Sequence, residues 1–255
     1  VLLNRVTTLP LILHHRSFAT GLMAYLLTMA AVGGSLADLA AVITALLMVV
    51  LTVVGIFVTG TGGGLSAGQW FSWHPIFMTI AFPVLMMFGR FGILADEVRP
   101  SLQTWKEHRA FMVTVMIAVL LGYFCIFMAH LPQRRFFGHD FNTGEWADYR
   151  RVAHAWLGYL LIFSVLWQVF SGFRKYSALA SGVTISPEHG TLGKAIIIVG
   201  GFNVVLAIRF WGWVPAYKVP MYAVTVLSVI FGVIWPPAEK KEEEEEPLLA
   251  QRAAA

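Results

Sequence analysis

The chain has 255 residues, 58% of them hydrophobic and only 13% charged, with a formal net charge of +4 and a mean hydropathy of +0.71. Soluble domains carry about a quarter of their residues as Asp, Glu, Lys and Arg, and those residues supply much of a water-facing surface. So few charges exclude a soluble globular domain, a disordered chain and a nucleic-acid-binding module. The basic balance reflects Lys and Arg at the ends of apolar runs, as membrane proteins place them. The composition therefore predicts an integral membrane protein.

Residues 1–38 form a leader-like or interfacial segment. Within it, residues 18–32 are apolar and follow His14, His15 and Arg16. At about fifteen residues the run is short for a span, and signal-peptide core, mitochondrial-type leader, interfacial helix and span all stay open.

Six windows of about twenty apolar residues follow, each long enough to cross a hydrocarbon core of roughly 30 Å. They cover residues 39–59, 73–95, 110–129, 152–173, 191–210 and 219–235. Continuous apolar runs of this length predict helices, because barrel strands alternate over about ten residues. The expected fold is all-α: a six-helix bundle over 39–235, followed by an acidic tail at 236–255.

Of the eighteen Lys and Arg residues, twelve fall in connections on one side and six on the other. The positive-inside rule then puts both termini in the cytosol. If residues 18–32 also span, the division becomes ten against eight and orientation stays open. One cysteine, Cys125, rules out an intrachain disulfide.

Four of the eight histidines share one property. His74, His108, His154 and His189 lie at or close to the starts of spans two to five. Successive spans alternate direction, so His74 and His154 should share one depth, near the non-cytosolic face, and His108 and His189 another. An imidazole near hydrocarbon is costly without a partner and usually marks function. Two neutral imidazoles on facing helices are what bis-histidine ligation of a b haem requires. Gly158 follows His154 by four residues and Gly193 follows His189 by four, each on its histidine's helical face, where a porphyrin would need small neighbours.

Three segments carry a family resemblance. They are Trp73-His74-Pro75, Val152-Ala153-His154-Ala155-Trp156-Leu157-Gly158 and Pro187-Glu188-His189-Gly190-Thr191-Leu192-Gly193. In order and spacing they resemble the cytochrome b561 family of transmembrane electron carriers over residues 73–209. The resemblance implies a four-helix haem-binding core and two b haems held by His74 with His154 and by His108 with His189. It also implies a trans-membrane oxidoreductase passing electrons from cytosolic ascorbate, or another small anionic reductant, to monodehydroascorbate or a ferric chelate. Arg90, Arg99, Lys106, Arg109 and Lys194 are the expected cationic candidates for the donor site. A haem-b anchor or structural subunit of a larger respiratory or photosynthetic complex, and a haem-free transporter, are the alternatives. The partners expected are the bilayer and either a second copy or a membrane complex.

Other motifs have blander readings. Gly64-Leu65-Ser66-Ala67-Gly68 has the nucleophile-elbow spacing without a preceding strand, so a hinge loop is expected. His130 and His139 fall in a charged loop with Arg134, Arg135, Asp140, Glu145, Asp148, Arg150 and Arg151. This reads as a solvated segment or as a docking surface for an anionic redox partner. In the tail, Glu244-x-x-x-Leu248-Leu249 has the acidic dileucine pattern of endolysosomal or vacuolar cargo; a mitochondrial or other organellar membrane stays open.

Overall fold

The computed structural model describes residues 36–58, 64–94, 102–180, 185 and 188–234. Most of the N-terminal segment and the tail, with its dileucine, lie outside the described residues. Residues 1–43 and 44–255 form two compact units. In the first, the described residues are the opening turns of α1.

The protein is an all-α bundle with six helical segments long and apolar enough to cross a membrane. They begin with α1 (Leu36–Phe57). The second is α2 (Trp70–Thr79), a π-helical stretch (Ile80–Leu85) and α3 (Met86–Leu94) in series. Then come α4 (Leu102–His130), α5 (Tyr149–Ala180), α6 (His189–Phe210) and α7 (Pro215–Ile234). Several helices extend beyond the apolar windows of the sequence, because polar residues continue the backbone ladder once it leaves the hydrocarbon.

The π-helical stretch has a local cause. Pro83 lacks an N–H and its ring would crowd the carbonyl one turn earlier. Widening the ladder accommodates it, and the backbone N–H of Met86 reaches Ala81 O, five residues back. The sequence window 73–95 shows only one uninterrupted span.

Large apolar side chains are exposed along one stripe of α5, at Trp156, Leu160, Phe163, Trp167 and Phe170. They recur at helical spacing and would be costly in water, so this stripe is the lipid-facing surface. The opposite faces pack a core of Phe82, Leu85, Val115, Val119, Leu161, Val165, Ile196 and Ile197, among others. On α4, Val115 and Val119 lie between His108 and Gly122. On α6, Ile196 and Ile197 lie between His189 and Asn203. The apolar core therefore occupies the middle of the helices, with the histidines above and below it.

Between α4 and α5 the charged loop folds into a short antiparallel sheet. Its strands are β1 (Arg135–Phe136), β2 (His139–Asp140) and β3 (Glu145–Trp146). Phe137 and Gly138 form the β1–β2 turn, with φ of 59° and 80°. Positive φ at both turn residues matches the right-handed twist of a tight hairpin.

Candidate functional site: two histidine pairs

The four histidines form two pairs. The rings of His74 and His154 have centroids 6.3 Å apart at 86°, and those of His108 and His189 are 6.3 Å apart at 71°. Each pair joins the α2–α4 half of the bundle to the α5–α6 half. From His108 to Gly122 on α4 is fourteen residues, about 21 Å of helix. The same rise separates His189 from Asn203 on α6. The two pairs therefore occupy two levels near opposite ends of the spans.

Three rings are held in the same way. His74 Nδ1 donates to Gly122 O at 2.9 Å, His108 Nδ1 to Gly89 O at 2.7 Å, and His154 Nδ1 to Asn203 O at 3.0 Å. A carbonyl can only accept, so each ring carries a proton on Nδ1, which in the neutral imidazole leaves Nε2 as the free lone pair. A second hydrogen bond of this kind commonly fixes the tautomer and orientation of a metal-binding imidazole.

His189 differs. Its Nδ1 lies 3.3 Å from the Ser171 hydroxyl, which donates in turn to Gln168 O at 3.1 Å. Gln168 Nε2 also donates to His189 O at 2.6 Å, fixing the first turn of α6 against α5.

The glycines serve the same contacts. A Cβ on Gly122 would lie 2.9 Å from Met78 Cε and 3.2 Å from Phe77 Cβ. Glycine there lets α4 pack closely on α2, with Phe77 Cβ the contact that a larger residue would have to displace. Gly89, whose added Cβ would collide with Met112, brings α3 to His108 in the same way. A Cβ added to Gly158 would lie 3.8 Å from Asn203 Nδ2 across the α5–α6 contact, and one added to Gly193 would lie 3.2 Å from Gln168 Nε2. Both expected glycines thus sit beside the groups that hold a histidine.

Around the His74–His154 pair the packing is aromatic. Phe71 lies 6.3 Å from His74, and Phe210 lies 5.4 Å from His154 beneath the Arg151 guanidinium. Trp211 stacks on Phe71 at 4.9 Å, and its indole N–H is buried without an acceptor. Asn203 Oδ1 is likewise buried and unpartnered.

At the other level the expected cations take different positions. Arg109 stacks over Tyr176 at 4.7 Å and Phe173 at 5.6 Å. Lys106 and Lys194 are exposed. Arg90 donates to Gly232 O at 2.8 Å and Val233 O at 3.2 Å, satisfying carbonyls in the last turn of α7. Arg99 lies outside the described residues. Lys175, absent from the expected donor set, stands half-buried on α5 one turn after Ser171. Its position on a polar turn of α5 was the only signal for it.

Ser66 of the elbow-like motif is committed to the turn into α2. Its hydroxyl accepts from Gly68 N–H and its carbonyl from the Ser72 hydroxyl. Arg135 of β1 pairs with Asp140 of β2 at 2.7 Å, and Arg150 in the first turn of α5 pairs with Asp148 at 2.6 Å. Asp140 also accepts from Asn142 and Thr143 N–H. The Arg135 guanidinium holds the Asp140 carboxyl below its usual value, and Arg150 does the same for Asp148.

Among the described residues no group of three or more His, Cys, Asp or Glu is placed to hold a metal ion. A haem iron asks for less, because the porphyrin supplies the equatorial nitrogens and the protein only the axial ligands. No protein-family model matches the chain, and no curated protein matches it.

Proposed function

We propose that the protein carries electrons across its membrane through two b haems, one at each histidine pair. The observation that carries this reading is the 6.3 Å ring separation found at both pairs. His74 with His154, and His108 with His189, would each present one ring nitrogen from either side to an iron held in a porphyrin. The repeat of a facing histidine pair at two levels, three of its four rings anchored by main-chain carbonyls, supports the same reading.

A bound b haem supplies one-electron ferric–ferrous chemistry. The chain's own part is to hold and tune. His74 and His154 would ligate at one level, with His108 and His189 at the other, all through Nε2. Gly122, Gly89 and Asn203 fix three of those rings by their carbonyls, which raises the basicity of the ligating nitrogen. Trp211 N–H, buried beside the first pair without an acceptor, and Arg151 would receive a carboxylate of the bound group. The core between the levels excludes water.

At the His108–His189 level, Arg109, Lys106, Lys175 and Lys194 give a positive field that favours a small anionic reductant such as ascorbate. One electron leaves the reductant there, and one passes at the far end to monodehydroascorbate or a ferric chelate. The protein would thus act as a trans-membrane oxidoreductase.

The test is a dithionite-reduced minus oxidised spectrum of the purified protein, with pyridine haemochrome quantitation. Two b haems per chain are expected, falling towards one in His74→Ala and, separately, in His108→Ala. Ascorbate should reduce the wild type. A folded, haem-supplied preparation that holds no haem overturns the proposal; haem without ascorbate reduction leaves the anchor-subunit reading in its place.

A further inference from the structure

Arg109, one of the cations expected to meet an anionic reductant, is engaged by the protein itself. It is half-buried on α4, directly after His108. Its guanidinium lies over two rings of α5, Phe173 at 5.6 Å and Tyr176 at 4.7 Å. Both distances are within the reach of a cation–π contact. A guanidinium is planar and weakly hydrated, so it stacks on ring faces in a way that a compact ammonium does not.

α5 offers the same grip twice. His154, Trp156 and Tyr159 recur seventeen residues later as Ser171, Phe173 and Tyr176. Each set is a histidine, or the group that meets one, followed by rings two and five positions on. At the His74–His154 level, Phe137 of the connecting sheet covers Trp156 and Tyr159 at 5.6 and 4.8 Å. Tyr123, directly after Gly122 on α4, meets Tyr159 as well, at 5.7 Å. At the His108–His189 level, Arg109 covers Phe173 and Tyr176. Beside each histidine pair, the rings of α5 are the handles by which α4 and its sheet hold it.

We infer that Arg109 is a positioning residue, whose stack on Phe173 and Tyr176 fixes how the two halves of the bundle stand apart at the His108–His189 level. His108 is held by Gly89 O within its own half. His189 meets Ser171 within the other half, five residues before Tyr176. Neither anchor crosses between the halves, and the apolar core joins them at mid-height. The Arg109 stack does cross, and it ties the residue beside one ring to the helix that holds the other. Resting on the haem reading, the consequence is that Arg109 acts on an iron through His108 without touching the reductant. Its charge still adds to the field at that level.

Nitroxides at Ala110 on α4 and Ala195 on α6, both exposed, report the spacing of the halves whether or not haem is bound. They would be placed in the full protein with Cys125→Ser, in lipid nanodiscs, and read by double electron–electron resonance. The distance distribution should be narrow. Arg109→Lys, which keeps the charge and loses the stack, should at least double its width, and so should Tyr176→Leu. Tyr176→Phe, which keeps the ring, should leave it narrow. In the haem-loaded protein Arg109→Lys should also shift the low-spin resonance signal of one of two haems. A width that responds in a protein without a haem signal keeps the positioning role and overturns the haem reading instead. An unchanged width in Arg109→Lys or Tyr176→Leu, or an unchanged haem signal where Arg109→Lys has doubled the width, would overturn the inference.

Discussion

His74 Nδ1 donates to the carbonyl of Gly122, forty-eight residues away, and His154 Nδ1 donates to that of Asn203, forty-nine residues away. The other level repeats the theme over nineteen and eighteen residues, with His108 on Gly89 and His189 on Ser171. Each half of the bundle is thus a helical hairpin whose two strands of helix exchange anchors: a histidine at one end of each helix is held by the other helix. The pairing of the halves then brings histidine to histidine. Orientation of the rings belongs to the hairpins, and their separation to the way the hairpins face each other.

The exception in that pattern gives a prediction. Ser171 offers His189 a hydroxyl at 3.3 Å where the other three rings have a carbonyl at 2.7–3.0 Å. A weaker acceptor leaves the imidazole a poorer donor to ferric iron. In the haem-loaded protein, Ser171→Ala should raise one of two midpoint potentials by up to about 60 mV, equal to a tenfold change in relative affinity of the oxidation states. Ser171→Thr, which keeps the oxygen, should restore it. A redox titration resolving both haems reads the result. If both midpoints stay fixed in the alanine variant, Ser171 does not tune the site.

That network also marks where the sequence stops being informative. His74, His108, His154 and His189 are legible because each interrupts an apolar run, and strict alternation of spans assigns their levels. Gly122, Gly89 and Asn203 act through main-chain carbonyls, which every residue possesses, so no side-chain pattern announces them. Gln168 and Ser171 look like neutral polar residues on a membrane helix until α6 lies beside them. Arg90 reads as a free cation near the expected donor site, whereas the structure uses it to satisfy the end of α7. The two-residue strands at 135–146 are too short to show alternation, so a charged loop is all that the composition suggests there.

Close helix approach predicts a contrast between two glycines. Gly122 leaves 2.9 Å between an added Cβ and Met78 Cε, and 3.2 Å to Phe77 Cβ, while an added Cβ on Gly190 meets nothing within 4 Å. Gly122→Ala should therefore destabilise the bundle by about 1–3 kcal/mol through overpacking. It should also loosen the His74 anchor. Gly190→Ala should leave stability unchanged or raise it slightly, because alanine restricts the unfolded chain. Thermal unfolding of the two variants in one detergent makes the comparison, and equal midpoints would contradict the close α2–α4 packing.

The sheet should respond to acid. Asp140 accepts from Arg135 at 2.7 Å and from Asn142 and Thr143 N–H at 2.9 and 3.3 Å, and its carboxyl is held below the ordinary value near 3.8, chiefly by the Arg135 hydrogen bond. A carboxyl depressed in the folded state contributes stability that is fully present above its unfolded value and is lost as pH falls through the folded one. The turn at 140–144 should accordingly hold its protection against amide exchange at neutral pH and lose it only below the ordinary carboxylate range. Hydrogen exchange at Asn142 and Thr143, corrected for the intrinsic effect of pH, measures this. Asp140→Asn should expose both amides at neutral pH and abolish the acid step. An acid step that persists unchanged in that variant would assign it to another group, with Asp148, paired to Arg150 in the same way, the first to substitute.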